Sequence, residues 1–162
     1  MSAIEASLSR GNKTYAPQCD RPAPSSLLWT IEVLIVEDDE ADRSLITDVI
    51  KRHPNVSAMH ATDAPAQALI DLERGRLRPN LILLDIHMPK LNGFQFLEEL
   101  RRIPAMRDTA VVVLTTSALA RDVREACTGG VSLYIVKPDS YEQLKSRLVS
   151  VVHQVRTGAW GG

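Results

Sequence analysis

LILLDIHMPKLNGFQFLEEL, residues 81–100, decides the fold. It opens on four aliphatic residues with no polar alternation, then an aspartate, a proline-containing loop, a glycine and an amphipathic stretch. An apolar run without alternation fits a central parallel strand covered on both faces. The stretch after Gly93 has the spacing of a helix. Working outward, the same strand-then-helix unit recurs. The runs are EVLIV (32–36), VSAMHA (56–61), LILLD (81–85), AVVVLT (110–115) and LYIV (133–136), and helices are expected near 41–52, 64–74, 93–102, 119–127 and 141–156. Five β-then-α units in succession predict an α/β fold with a doubly wound, five-stranded parallel sheet.

The composition is compatible with that reading. Of 162 residues, 44% are hydrophobic, enough to bury a core, and only 4% are aromatic, so the core must be aliphatic. A net charge of −1 argues against a dedicated nucleic-acid binder. Cys19 and Cys127 make no disulfide framework, which favours a reduced, cytoplasmic setting. No apolar run approaches the roughly 20 residues of a membrane span, and MSAIEASLSRGNK at the N-terminus lacks the apolar segment of a secretion signal. Residues 1–28, with the proline-rich APQCDRPAPSS, read as a flexible extension, 29–156 as the folded domain and 157–162 as a tail. Only TGAWGG follows the last helix, so no output domain is expected within the chain.

In such a sheet, functional residues collect at the carboxyl ends of the strands, beside the point where strand order reverses. Glu37-Asp38-Asp39-Glu40 follow the first run, Asp85 ends the third, Thr115 and Thr116 end the fourth, and Lys137-Pro138 follow the fifth. Clustered carboxylates repel one another and favour a cation. Mg²⁺ typically takes one or two carboxylates together with phosphate oxygens and water. A lysine and a hydroxyl at the same rim suit a phosphoryl group, and an aspartate among them can be the nucleophile that receives it. Pro89 would stiffen the loop after Asp85 so that the backbone carbonyl of His87 could serve as a metal ligand, and Gly93 would supply a positive-φ turn. Pro138 would stiffen the loop of Lys137 and leaves either isomer of the preceding peptide bond open. Asp39, Glu40 and Asp42 read as acids favourable at a helix N-terminus and receive no site role.

VLIVEDDEADR, LILLDIHMPKLNGFQFLEELR, VVVLTTS and YIVKP, in this order, make residues 31–156 resemble the receiver domain of bacterial two-component response regulators, with a flavodoxin-like (βα)5 fold. The hydroxyl lies 30 residues and the lysine 52 residues beyond Asp85, as in that family. The resemblance implies that Asp85 is the phosphoacceptor and that Glu37 and Asp38 are the acidic pair holding Mg²⁺, with Asp38 the direct ligand and Glu37 acting through water. It also implies that Thr115 and Lys137 bind the phosphoryl oxygens and that Tyr134 is the aromatic switch residue. A glutamate as first acid and Asp139 after the Lys-Pro pair depart from the usual pattern.

The residues also separate rival readings. A flavin-phosphate binder needs a Gly/Ser/Thr-rich loop where EDDEAD stands. P-loop and dinucleotide motifs are missing. A dehalogenase-type phosphohydrolase would need an acid at His87, so catalysis reduces to self-phosphorylation and slow self-dephosphorylation. The resemblance implies a sensor histidine kinase as phosphoryl donor and a downstream protein as target, with a phosphorelay intermediate or phosphate sink as the alternative role. It extends to regulators paired with bacterial phytochrome kinases. The stripe Leu144, Leu148, Val151, Val152 and Val155 suggests a homodimer through the last helix, its later members joining Trp160 against a second copy.

Overall fold

The computed structural model describes residues 14–15 and 30–159. The strands are β1 (Thr14–Tyr15), β2 (Ile31–Val36), β3 (Val56–Thr62), β4 (Leu81–Leu84), β5 (Ala110–Thr115) and β6 (Leu133–Val136). The helices are α1 (Glu40–Lys51), α2 (Pro65–Glu73), α3 (Gly93–Arg102), α4 (Ala120–Thr128) and α5 (Tyr141–Thr157). The sheet order is β1-β6-β5-β4-β2-β3. The five strands from β2 onward are parallel, and the order reverses between β2 and β4. The expected doubly wound sheet is present, and each helix boundary falls within one residue of the expected one.

Strand periodicity explains the two-sided core. Leu34, Val36, Ile82, Leu84, Val111 and Val113 face α2, α3 and α4, packing with Leu72, Phe96, Leu100 and Val123. Their neighbours Val33, Ile35, Leu81, Leu83, Val112 and Leu114 face α1 and α5. Because each face has its helices, β4 and β5 are buried at every position. Edge strand β3 is covered less and accordingly carries several exposed residues.

The structure corrects three expectations. The extension 1–28 contributes β1, which pairs antiparallel with β6 (Thr14 opposite Ile135, Tyr15 opposite Tyr134), so the sheet has six strands among the described residues. The rest of that extension, with Cys19, and tail residues 160–162, with Trp160, lie outside the described residues. Second, the α5 stripe is spent within the chain. Leu144, Leu148, Val151, Val152 and Val155 are all buried in the face shared with α1. A homodimer through α5 therefore loses its proposed contacts, and the exposed large apolar residues of that helix are Tyr141 and Val149.

Third, Gly93 has no positive φ; the left-handed turn of this loop falls at Lys90, φ 69°. Gly93 is required for close approach. A Cβ there would lie 2.5 Å from both the Asp85 carbonyl oxygen and the Ile86 Cα. Its N–H donates to the Ile86 carbonyl at 3.1 Å, while Asn92 and Gln95 close a reciprocal cap over the first turn of α3. Helix propensity alone would make Gly93→Ala stabilising by about 1 kcal/mol. The collision with backbone reverses the sign, and a loss at the upper end of the about 1–3 kcal/mol typical of overpacking is expected in urea denaturation. An unchanged or higher urea midpoint would contradict this account.

Candidate functional site

The site lies at the carboxyl ends of β2 and β4, where the strand order reverses. Glu37 continues β2, its N–H donating to the Thr62 carbonyl at 3.0 Å. Asp85 continues β4, its N–H donating to the Val36 carbonyl at 3.0 Å. Backbone pairing thus fixes both acids before their side chains are considered. Asp39 caps α1 by accepting from the Asp42 N–H at 2.8 Å, and its own N–H donates to Glu37 Oε1 at 3.1 Å. Arg43 closes the loop from the other side, its guanidinium donating to the carbonyls of Glu37 and Asp38 at 3.0 and 3.2 Å.

Glu37, Asp38 and Asp85 each place a carboxylate oxygen within 4.8 Å of the others. Glu37 is 2% exposed and Asp85 7%, and Asp38 is the most exposed of the three. Hard oxygen donors at this separation fit a divalent cation such as Mg²⁺. Burial pushes the Glu37 carboxyl above its ordinary range; the Lys137 ammonium opposes this, and the Asp85 charge adds to it.

Lys137 arrives from the end of β6, its N–H donating to the Thr115 carbonyl at 2.7 Å. Its ammonium donates to Glu37 Oε2 at 2.7 Å and to Asp42 Oδ2 at 2.6 Å. Burial alone would lower its pKa, but hydrogen bonds to Asp42 and Glu37 prevail and hold it above the ordinary value. Asp42 therefore belongs to the site, although sequence gave it only a helix-start role. Nothing in linear spacing links it to a lysine 95 residues away. All peptide bonds of the described residues are trans, including Lys137–Pro138.

Thr115, at the end of β5, is fully buried, whereas Thr116 is exposed. Thr115 Oγ1 accepts from the Ser117 N–H at 3.3 Å. Tyr134 is also fully buried, and its hydroxyl donates to the Ser117 carbonyl at 3.0 Å. The expected threonine and tyrosine thus meet through a residue that sequence reading passed over. His87 sets its imidazole beside Asp122, with Nε2 3.6 Å from Oδ2. Asp122 is a buried acid that the sequence did not single out.

The profile of the response regulator receiver domain matches residues 33–149. Among curated proteins, the probable methanogenesis regulatory protein FilR2 of Methanothrix harundinacea (strain 6Ac) is 35% identical over 118 residues, 70% of this chain and 76% of that protein. The chain spans only 37% and 39% of two protein-glutamate methylesterases that it also matches. Among solved structures, the Mn²⁺-bound response regulator Rcp1 is 30% identical with a TM-score of 0.67, covering 75% of this chain and 91% of that one. The phosphorylated cyanobacterial phytochrome response regulator RcpA is 26% identical with a TM-score of 0.72, covering 80% and 96%. No helix among the described residues is long and apolar enough to cross a membrane.

Proposed function

Since the chain belongs to the response regulator receiver domain family, we propose that it accepts a phosphoryl group from a sensor histidine kinase onto Asp85 and signals through protein contacts. The observation that carries this is the convergence of the Glu37, Asp38 and Asp85 carboxylates within 4.8 Å, with the Lys137 ammonium against Glu37. A carboxylate oxygen of Asp85 attacks phosphorus, and the bond from phosphorus to the donor nitrogen breaks, its electron pair leaving with the histidine. The side chains of Asp38 and Asp85 and the backbone carbonyl of His87 would hold Mg²⁺, with Glu37 acting through water. The ion supplies neutralisation of the charge that develops on the phosphoryl oxygens. Lys137 exchanges a carboxylate for a phosphoryl oxygen, and the Thr115 hydroxyl donates to another. The change reaches the surface through Tyr134, as a shift between two arrangements of the β5–α4 loop.

In this reading the receiver is catalytic only toward its own phosphorylation and slow dephosphorylation, and it works in the cytoplasm, where the kinase's phosphoryl donor is made. The likeness to Rcp1 and RcpA supports a phytochrome-type kinase as partner. A homodimer would draw on Tyr141 and Val149, the exposed apolar residues of α5. Incubation with acetyl phosphate tests the core of the proposal. One phosphoryl group should be gained in Mg²⁺ and none after chelation, and borohydride trapping should place it on Asp85. Metal-independent labelling, or a label on another residue, would overturn the assignment.

A further inference from the structure

Asp122 is 4% exposed, lies in the first turn of α4, and has no part in the chemistry described so far. A first-turn acid needs no burial to favour a helix N-terminus, and an underpaired buried carboxylate is costly. Its surroundings therefore call for an explanation. One carboxylate oxygen, Oδ2, accepts from the Ser117 hydroxyl and lies 3.6 Å from His87 Nε2; the other lies 3.4 Å from Arg121 Nε. The acid thus touches the loop after Asp85 and the loop after Thr115 at once.

Ser117 has no polar group to spare. Its N–H donates to Thr115 Oγ1 at 3.3 Å, its carbonyl accepts from the Tyr134 hydroxyl at 3.0 Å, and its own hydroxyl oxygen accepts from the Leu119 N–H at 3.3 Å. A serine hydroxyl has one proton to donate, and here it goes to Asp122. The carboxylate therefore determines how Ser117 is oriented, and Ser117 determines where the acceptor for Tyr134 stands.

We propose that Asp122 is the positioning residue of the tyrosine switch: by holding the Ser117 hydroxyl it fixes the carbonyl that keeps Tyr134 inside. Removing this charge-assisted bond should shift the inward-to-outward ratio of Tyr134 by roughly tenfold toward outward. The inference rests on the reading of Tyr134 as the switch, but its test needs no phosphoryl donor, so failure of Asp85 to accept phosphate leaves the result intact.

The chain has three tyrosines, which makes uniform 3-fluorotyrosine labelling of the full protein readable. Tyr15→Phe and Tyr141→Phe assign the remaining signal to Tyr134. In the unsubstituted protein a soluble gadolinium chelate should broaden the Tyr134 signal least. Asp122→Ala should raise that broadening several-fold, Asp122→Asn should restore protection because its amide oxygen still accepts from Ser117, and Mg²⁺ affinity should be the same in all. Ser117→Ala deletes the same bond from the other side and should reproduce the effect of Asp122→Ala, which settles the matter if the latter fails to fold. Tyr134 protection at the unsubstituted level in Ser117→Ala, or loss of protection in Asp122→Asn equal to that in Asp122→Ala, would overturn the proposal.

Discussion

Asp85→Asn is expected to accept no phosphoryl group and, in the absence of metal, to melt higher than the parent protein. Both results have one cause. Three carboxylates within 4.8 Å are arranged for a cation and strain the fold without one. At an effective dielectric near 20, two full charges about 5 Å apart repel by about 3 kcal/mol. The Lys137 ammonium against Glu37 absorbs much of this, leaving a gain of about 1 kcal/mol, or roughly 2–4 °C in Tm. Asparagine keeps the shape of the side chain and leaves the backbone bond to Val36 intact.

The pH dependence follows from Glu37, whose pKa is raised chiefly by burial and further by the Asp85 charge. A group with a raised folded-state pKa contributes stability that is fully present below its unfolded value and lost as pH rises through the folded one. The metal-free protein therefore loses stability as pH climbs from about the ordinary carboxylate value of 4.5. Asp85→Asn removes part of that loss, so its advantage should be largest near pH 7 and shrink toward pH 4. Differential scanning calorimetry in chelator, run at both pH values, checks the sign. A variant less stable than the parent at pH 7 would contradict the electrostatic account.

The parts of this fold that were legible in sequence are those where one physical requirement dominates. LILL and AVVVLT are apolar throughout because both sheet faces are covered, and Asp85, Glu37 and Lys137 stand out because a polar group at the end of such a run has no core role. Asp42 stayed hidden because its place in the first turn of α1 already accounts for an acid. Only the folded chain brings it against Lys137. Gly93 was recognised as a required glycine for the wrong reason, since a close backbone approach and a left-handed turn leave the same mark in sequence. The α5 stripe misled because its apolar period continues beyond what a short helix needs. At about 1.5 Å per residue, a 17-residue helix is about 25 Å long and can apply its whole stripe to the chain's own core. Two residues of β1 carry no periodicity, so edge pairing with β6 had no signal.

Lys137→Met is expected to act in opposite directions on the two ligands of the site, and this separates its role from a general loss of structure. Methionine keeps much of the apolar stem while deleting the charge. Removing one partner of a buried ion pair strands the other, typically at about 3–5 kcal/mol. Asp42 is more than a third exposed and water can rescue it, so the metal-free variant should lose about 2–3 kcal/mol, at the low end of that range or just below it. The raised pKa of Lys137 means that its contribution is complete below the ordinary lysine value of 10.5 and is lost as pH passes the folded value above it. The deficit of the variant should therefore be flat through neutral pH and close only in alkali. For Mg²⁺ the sign reverses. The ammonium and the metal compete for the carboxylate of Glu37, so deleting the ammonium should tighten Mg²⁺ binding roughly tenfold, the equivalent of about 1.4 kcal/mol. For phosphoryl acceptance the sign reverses again. A fixed cation aimed at charge that develops in transfer is worth about 10²–10³ in rate, and methionine supplies none of it. Calorimetric Mg²⁺ titration and acetyl phosphate labelling of the same preparation give both readings. Weaker Mg²⁺ binding together with slower labelling would mean that the variant has merely lost the shape of the site. Tighter binding with slower labelling would identify Lys137 as a charge that yields Glu37 to the metal and turns to the phosphoryl group.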